Sequence, residues 1–448
     1  MANYIPTTPA EVQEMLGAIG VKTIDDLFAE IPPELRLQGD LNIPEGMSEP
    51  EMTRKLTRLS QSNETVDDKV CFLGGGAYDH IIPAAIDHLL LRGDFFTAYT
   101  PYQPEVSQGT LQCIYEFQSL ICGLTGMDQA NASMYEGATA AVEAINMATA
   151  QTRRNRVLVL QTVNPEYRRV INSLNTPLGA EIVSVPFEDG VVDPAKVHEM
   201  LTDQVAAVVM QYPNFLGCIE DIEKIAEVAH EAGALAIVVA NPIALGLLET
   251  PGKLGADIVC GEGQPLGIPL SFGGPYVGFL ASKKALLRRM PGRIVGKTTD
   301  IDGKTGFVLT LQAREQHIRR EKASSNICSN QALMALNATI YMSLMGREGI
   351  REVAGQCFQK AHYLKRELAK VDGVTFPFTG SFFHELVVKI PNARKVLGKM
   401  AKHGVFAGIP LDNWFANLKD CVLVAVTEKR SKDEIDNYCN LLGGFING

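Results

Sequence analysis

Short apolar runs that alternate with helix-period stretches constrain this chain more than any other feature. The runs fall at 157–160, 182–185, 205–210, 234–240, 258–260 and 276–280. They are apolar throughout rather than at every second residue, the pattern of strands covered on both faces. Helix-period segments lie between them. In 221–232, for example, Ile222, Ile225, Ala226 and Ala229 share one face. Strands and helices in this order build a mostly parallel sheet with helices on both sides, an α/β fold.

Both flanks change pattern. A long helix is predicted over 330–370. Strands at 374–378 and 384–390, a helix at 393–403, a strand at 422–426 and a helix at 432–442 follow, which is a small α+β unit. The N-terminus reads as a helical arm. Thr8-Pro9-Ala10-Glu11 is a capping box with proline at the first helical position. Val12, Met15, Leu16 and Ile19 then share a face, Thr23-Ile24-Asp25-Asp26 offers a second start, and Pro32-Pro33 and Pro44-Glu45-Gly46 break the arm. Such an arm buries little by itself and is expected to wrap a neighbour, in this chain or another. The expected organisation is an arm over 1–65, a large α/β domain over 66–325 and a small α+β domain over 326–448, without internal repeats.

Hydrophobic residues make up 46% and charged residues 21% of the 448, as in ordinary soluble globular proteins. A net charge of −10 gives a nucleic-acid partner no general support. No basic region followed by an apolar run marks a signal peptide. The most apolar stretch, 234–248, is broken by Asn241-Pro242 and is too short to span a bilayer. Nine cysteines without a CxxC pair argue against a zinc site or a disulfide framework and fit a reducing cytoplasm. No metal is expected.

Ser133 to Ala141 reads Ser-Met-Tyr-Glu-Gly-Ala-Thr-Ala-Ala, a small-residue turn that opens a helix. The unpaired N–H groups and positive dipole end at Glu136, Gly137, Ala138 and Thr139 suit a phosphate. Helices also start this way for packing alone, so the turn by itself leaves both readings open. It gains weight because it precedes an alternating β/α run, in which ligands sit at the carboxyl ends of strands. That frame is the one used by pyridoxal-phosphate (PLP) enzymes, which need a lysine on a later loop to form the Schiff base. The loop in that place, 259–267, reads Val-Cys-Gly-Glu-Gly-Gln-Pro-Leu-Gly, and no lysine lies between Lys253 and Lys283. Such sites also want an acid against the pyridine nitrogen. The strand before Pro242 ends at Asn241, which carries no negative charge and reads equally as a turn residue. Glu262 is either a site carboxylate or a solvated loop residue.

Two further segments stand out. Arg314, His317, Arg319, Arg320 and Lys322 crowd together with Glu315 and Glu321 interleaved. They form either an exposed, salt-bridged helix or a basic wall for a phosphate, a carboxylate or an acidic partner. The aromatic, proline-bounded segment 95–105 contains Tyr99 and Tyr102, and its plain reading is an ordered extended stretch packed on the core.

Taken together, Tyr99 to Gly109 (Tyr-Thr-Pro-Tyr-Gln-Pro-Glu-Val-Ser-Gln-Gly), Tyr135 to Thr139, Gly261 to Gln264 and the 311–330 cluster resemble the P-protein of the glycine cleavage system. More narrowly, they resemble its first (N-terminal, alpha) subunit where P-protein is split into two chains. The resemblance runs from about Thr8 to Ile446. It implies a PLP-dependent transferase of the aspartate-aminotransferase type (fold type I) and glycine dehydrogenase (aminomethyl-transferring, decarboxylating) activity. Glycine is bound as an external aldimine, CO2 leaves, and the aminomethyl group passes to the lipoyl arm of H-protein. It further implies a second subunit that carries the lysine and holds the PLP, with none bound covalently here. The implied partners are that subunit, lipoylated H-protein and glycine, with neither nucleic acid nor membrane. Against the second subunit's His-Lys dipeptide this chain shows Gln264-Pro265, and first subunits often show Asp where Asn241 stands. No catalytic residue is therefore expected in this chain alone. Asn241, Gln264 and Pro265 are degenerate positions, and Glu136, Gly137, Ala138 and Thr139 form a degenerate phosphate turn. Tyr99, Tyr102, Arg314, His317, Arg319, Arg320 and Lys322 are candidates for an interface or a substrate path. The alternatives are a self-sufficient PLP lyase or transferase and a non-catalytic scaffold that docks H-protein.

Overall fold

The computed structural model describes residues 5–447, so positions 1–4 of the expected arm and residue 448 lie outside it. Met1–Glu64 and Thr65–Gly448 are two compact units. The first holds helix α1 (Pro9–Ile19) and helix α2 (Glu49–Ser60). Capping boxes start both, Thr8 with Glu11 and Ser48 with Glu51. In α1 only Leu16 is buried and in α2 nothing is, while Met15, Ile19, Phe28, Leu35, Leu41 and Leu56 are exposed. The helices therefore owe their ends to capping and little to a core of their own.

In the second unit the apolar runs form one 7-stranded sheet. Its strands are β1 (Gln129–Ala130), β2 (Arg156–Leu160), β3 (Glu181–Val185), β4 (Val205–Tyr212), β5 (Leu235–Ala240), β6 (Ile258–Glu262) and β7 (Gly278–Ser282). They lie in the order β1-β7-β6-β5-β4-β2-β3, with β2 to β6 parallel and β7 and β1 antiparallel to their neighbours. Val205 through Met210 have no exposed surface, because helices cover both faces. Among these helices are α3 (Gln108–Thr125), α4 (Gly137–Thr152) and α5 (Ile222–Glu231). Helix α5 buries Ile222, Ile225, Ala226 and Ala229, the stripe its sequence spacing predicts. Ile225→Ala should cost about 2–5 kcal/mol in urea unfolding, the range for truncating a fully buried aliphatic side chain.

Beyond the sheet, β8 (Ile294–Thr299) and β9 (Thr305–Thr310) form an antiparallel hairpin that the periodicity does not announce. The long helix is α6 (Ala332–Leu368), interrupted at Gly346, whose φ of 58° is not helical. A three-stranded antiparallel sheet of β10 (Glu385–Lys389), β11 (Ile409–Pro410) and β12 (Cys421–Ala425) follows in the order β10-β12-β11, with helices α7 (Ala393–Lys402) and α8 (Lys432–Asn447). The strand expected at 374–378 is absent. That segment makes a single bridge, Thr375 to Lys389, and Phe378 packs edge-on against Phe187. Its alternation reflects side-chain packing, not a ladder. The small sheet's core also takes Phe72, from far earlier in the chain, whose ring lies 4.5 Å from that of Tyr438. No helix of the described residues is long and apolar enough to cross a membrane.

Candidate functional site

The carboxyl ends of β4, β5 and β6 meet the start of α4, where a ligand of such a sheet belongs. Here they border a half-open cavity of about 30 Å³ lined by Tyr78, Asn164, Tyr167, Asn241, Glu262 and Pro265, among others. That is room for roughly two water molecules and a tenth of the lower end of small-molecule sites, about 300 Å³.

The reason lies in the first turn of α4. Glu136 caps its own helix, accepting from Ala138 N at 2.5 Å and Thr139 N at 2.8 Å. Gly137 N donates to Glu262 Oε2 at 3.1 Å, and Glu262 Oε1 also accepts from Gln264 N and Val277 N. Of the N–H groups that suit a phosphate, those of Gly137, Ala138 and Thr139 are thus satisfied by two carboxylates of the chain itself, and that of Glu136 by Thr139 Oγ1. Burial pushes the Glu262 carboxyl up to about 8, against the pull of those three N–H groups. Glycine at 137 is a requirement of this contact. A Cβ there would overlap Tyr167 Oη and lie 2.8 Å from Glu262 N. Glu262 is therefore a structural cap and not a solvated loop residue.

Two of the three degenerate positions, Asn241 and Gln264, also have local tasks, and Pro265 lines the cavity. Asn241 Oδ1 accepts from Ile243 N and Ala244 N, capping the turn after β5, so its side chain serves the backbone. Gln264, 1% exposed, accepts from Tyr78 N at 2.8 Å and donates to Tyr78 O at 3.0 Å and to Ile268 O at 2.7 Å. A lysine cannot accept a hydrogen bond, so only an amide makes this clasp.

The clasp holds a segment whose role the sequence does not announce, Gly74-Gly75-Gly76-Ala77-Tyr78-Asp79-His80. Glu385 accepts from Gly75 N at 2.7 Å and Tyr78 Oη at 2.8 Å, and burial pushes its carboxyl up to about 7. A Cβ on Gly74 would overlap Glu385 Oε1. Asp79 pairs with Lys429 at 2.8 Å and Arg430 at 3.1 Å. Glu428 accepts from His80 at 2.6 Å and from Ile81 N. Burial opposes its ionisation, yet these donors hold its carboxyl down at about 2. Cys357 Sγ lies 3.3 Å from the same Glu428 oxygen. The ligand atoms of His80, Cys357 and Glu428 are within 4.8 Å of one another, a spacing that a metal could use, and here they are engaged with each other. The visible signal for the segment itself is the glycine triplet, followed after Ala77 by Tyr-Asp-His.

The basic cluster is not a helix. It is three single turns, Gln312–Arg314, Gln316–Arg319 and Arg320–Lys322, with Leu311 and Arg320 at positive φ. Arg314 is half-buried and donates to Leu311 O and Gly292 O, and burial pulls its pKa down. Arg319 Nε donates to Ala313 O, His317 lies 3.6 Å from Glu315, and Arg319, Arg320 and Lys322 are exposed. Nor does the aromatic segment simply pack on the core: Tyr99 is 87% and Tyr102 60% exposed.

Residues 2–442 match the family described as "Glycine cleavage system P-protein". The chain belongs to that family. It is 52% identical to a Desulfitobacterium hafniense protein named "Probable glycine dehydrogenase (decarboxylating) subunit 1", over 98% of this chain and 99% of the relative. A Desulforamulus reducens protein of the same name is 53% identical over 99% of each. Among solved structures, glycine decarboxylase (P-protein) of the glycine cleavage system in inhibitor-bound form superposes with a TM-score of 0.91 at 42% identity, over 99% of this chain and 100% of the other. Lactobacillus brevis glutamate decarboxylase, 14% identical with a TM-score of 0.71 over 92% and 96%, shares the fold alone. This P-protein chain thus has the fold type I architecture of PLP-dependent enzymes and serves glycine dehydrogenase (decarboxylating).

The pocket of this P-protein chain nevertheless does not fit PLP. No lysine reaches it from 261–275, both its helix cap and its loop donors are bonded internally, and its volume is too small.

Proposed function

We propose that this chain is the partner subunit of a two-chain glycine dehydrogenase. A second P-protein chain carries the lysine and holds the PLP. The pair decarboxylates glycine and passes the aminomethyl group to the lipoyl arm of H-protein. The self-capped start of α4 carries this reading: the P-protein fold is kept while the cofactor's anion position is filled by Glu136 and Glu262. Such a chain contributes surfaces and support rather than covalent chemistry.

In this reading the arm (1–65) wraps the second subunit with its exposed apolar side chains, the large part (66–325) and the small part (326–448) frame the shared site, and the complex works in the cytoplasm. Tyr99, Tyr102, Arg314, His317, Arg319, Arg320 and Lys322 shape its rim, and Arg314, His317, Arg319 and Arg320 among them offer positive charge to an acidic carrier or a carboxylate, an attraction that salt weakens. Alanine at Arg319 and Arg320 together should raise the KM for H-protein several-fold at low salt and less at high salt, with the chain still folded. Unchanged turnover and assembly would reduce the cluster to a solvated surface.

The deciding experiment treats the purified chain with PLP and borohydride, then assays glycine–CO2 exchange with and without the second chain and H-protein. No lysine should be labelled stoichiometrically, and exchange should require the second chain. One stoichiometrically labelled lysine whose substitution abolishes exchange by this chain alone would sink the reading.

A further inference from the structure

Arg293 stands just before β8 and is 5% exposed. Arginine side chains stay charged at physiological pH, and a buried charge is costly unless an anion meets it. Among the described residues no carboxylate does. Its hydrogen-bond partners are neutral and distant: Nη1 lies 3.4 Å from Ser329 Oγ and 3.5 Å from Asn330 Oδ1, and Nη2 lies 3.5 Å from Cys328 O. Nε is buried without a hydrogen-bond partner. The ring of Tyr102 lies 5.6 Å from the guanidinium carbon and is itself 60% exposed, so the charge sits one aromatic ring below the surface. Beside it, Arg314 holds Gly292 O through Nη2, and its Nη1 is likewise buried without a partner.

Two-point Arg–carboxylate pairs use two parallel N–H groups of the guanidinium. In Arg293 the Nε–Nη2 edge has one donor unused and the other only weakly engaged. We propose that Arg293 anchors a carboxylate-binding site, with Tyr102 as its outer wall, Ser329 and Asn330 as its polar flank and Arg314 as a second cation beside it. Two sources supply such a group: a free amino acid of glycine's kind, or an Asp or Glu side chain of the second subunit. Only the second source rests on the function proposed above.

The test has two arms. In the first, the free chain is melted in chloride and then in glycine or acetate at matched ionic strength. A ligand at roughly 100 times its Kd should raise Tm by about 3 °C for a chain of this size. R293M and R293K should not respond, the first lacking the charge and the second the two-point geometry. In the second arm the chain is titrated with the second P-protein subunit, and R293M should weaken association about 30-fold or more, with a shallower salt dependence. A response in the first arm assigns the carboxylate to a small molecule, and a response in the second alone assigns it to the partner. R293M should fold without added anion, since it removes an uncompensated buried charge. Should it not fold, Tyr102→Leu and Ser329→Ala leave the arginine in place and should still cut the response about threefold or more. If glycine and acetate stabilise wild type and variants equally, and association is also unchanged, the site is overturned. A wild-type complex that fails to decarboxylate glycine would count against the proposed function and leave the first arm standing.

Discussion

Gln264→Ala should lower the unfolding free energy of this chain by about 2–5 kcal/mol. The amide satisfies Tyr78 N, Tyr78 O and Ile268 O at once, and Tyr78 and Ile268 are buried. Removing it strands two backbone groups, Tyr78 N and Ile268 O, each costing about 1–3 kcal/mol when buried unpaired, with some relief if water enters the space left, while Tyr78 O keeps the N–H of His80. Gln264→Glu separates hydrogen bonding from volume. A carboxylate still accepts from Tyr78 N but cannot donate to the two carbonyls, so it should recover only part of the loss. Urea unfolding of the three proteins measures this. A loss below about 1 kcal/mol for alanine would mean that the glycine-rich segment is held by Glu385 and Glu428 alone. The role of the residue at the lysine's place would then need another explanation.

How far the sequence reveals this molecule differs between elements. Strands buried on both faces are legible because every residue in them is apolar, and β4 and β5 lie within two residues of their apolar runs. The face of α5 is legible because four small or aliphatic residues recur at helical spacing. The hairpin β8–β9 is not, because Lys297, Thr298 and Thr299 are exposed and blur any alternation. Likewise, the charges of 314–322 suggest a helix, but Leu311 and Arg320 take positive φ and break the segment into turns. At the site, what was legible was the missing lysine. What fills the site was not, because the contact of Gly137 with Glu262 spans 125 residues and depends on strand order. The local use of Asn241 is legible, since an Asn before Pro suits a turn and its Oδ1 accepts from Ile243 N. Glu385 and Glu428 had no local signal at all: each meets the glycine-rich segment from more than 300 residues away.

Above neutral pH this chain should become less stable, and Glu385→Gln should remove much of that loss. Burial pushes the Glu385 carboxyl from 4.5 up to about 7 in the folded chain. The fold therefore favours the protonated form. Its stabilising contribution is complete below pH 4.5 and is lost as pH rises through 7. Each tenfold change in proton affinity between the folded and unfolded chain is worth about 1.4 kcal/mol, so the loss is on the order of 3 kcal/mol. Glu262, pushed up to about 8, acts in the same direction and extends the decline. Glu428 acts oppositely: held down at about 2, it stabilises above pH 4.5 and loses that contribution as pH falls through 2. Stability should therefore peak between the two regimes, on the acid side of neutrality. Glutamine at 385 can still accept from Gly75 N and can donate to Tyr78 Oη, so the variant should fold and lack only the titration. Urea unfolding from pH 5 to 9 should show wild type and E385Q closest at pH 5 and diverging in favour of the variant by pH 8. A difference between them that stays constant across that range would show that Glu385 does not titrate within it. The segment 74–78 would then be held by a carboxyl that keeps one charge state throughout.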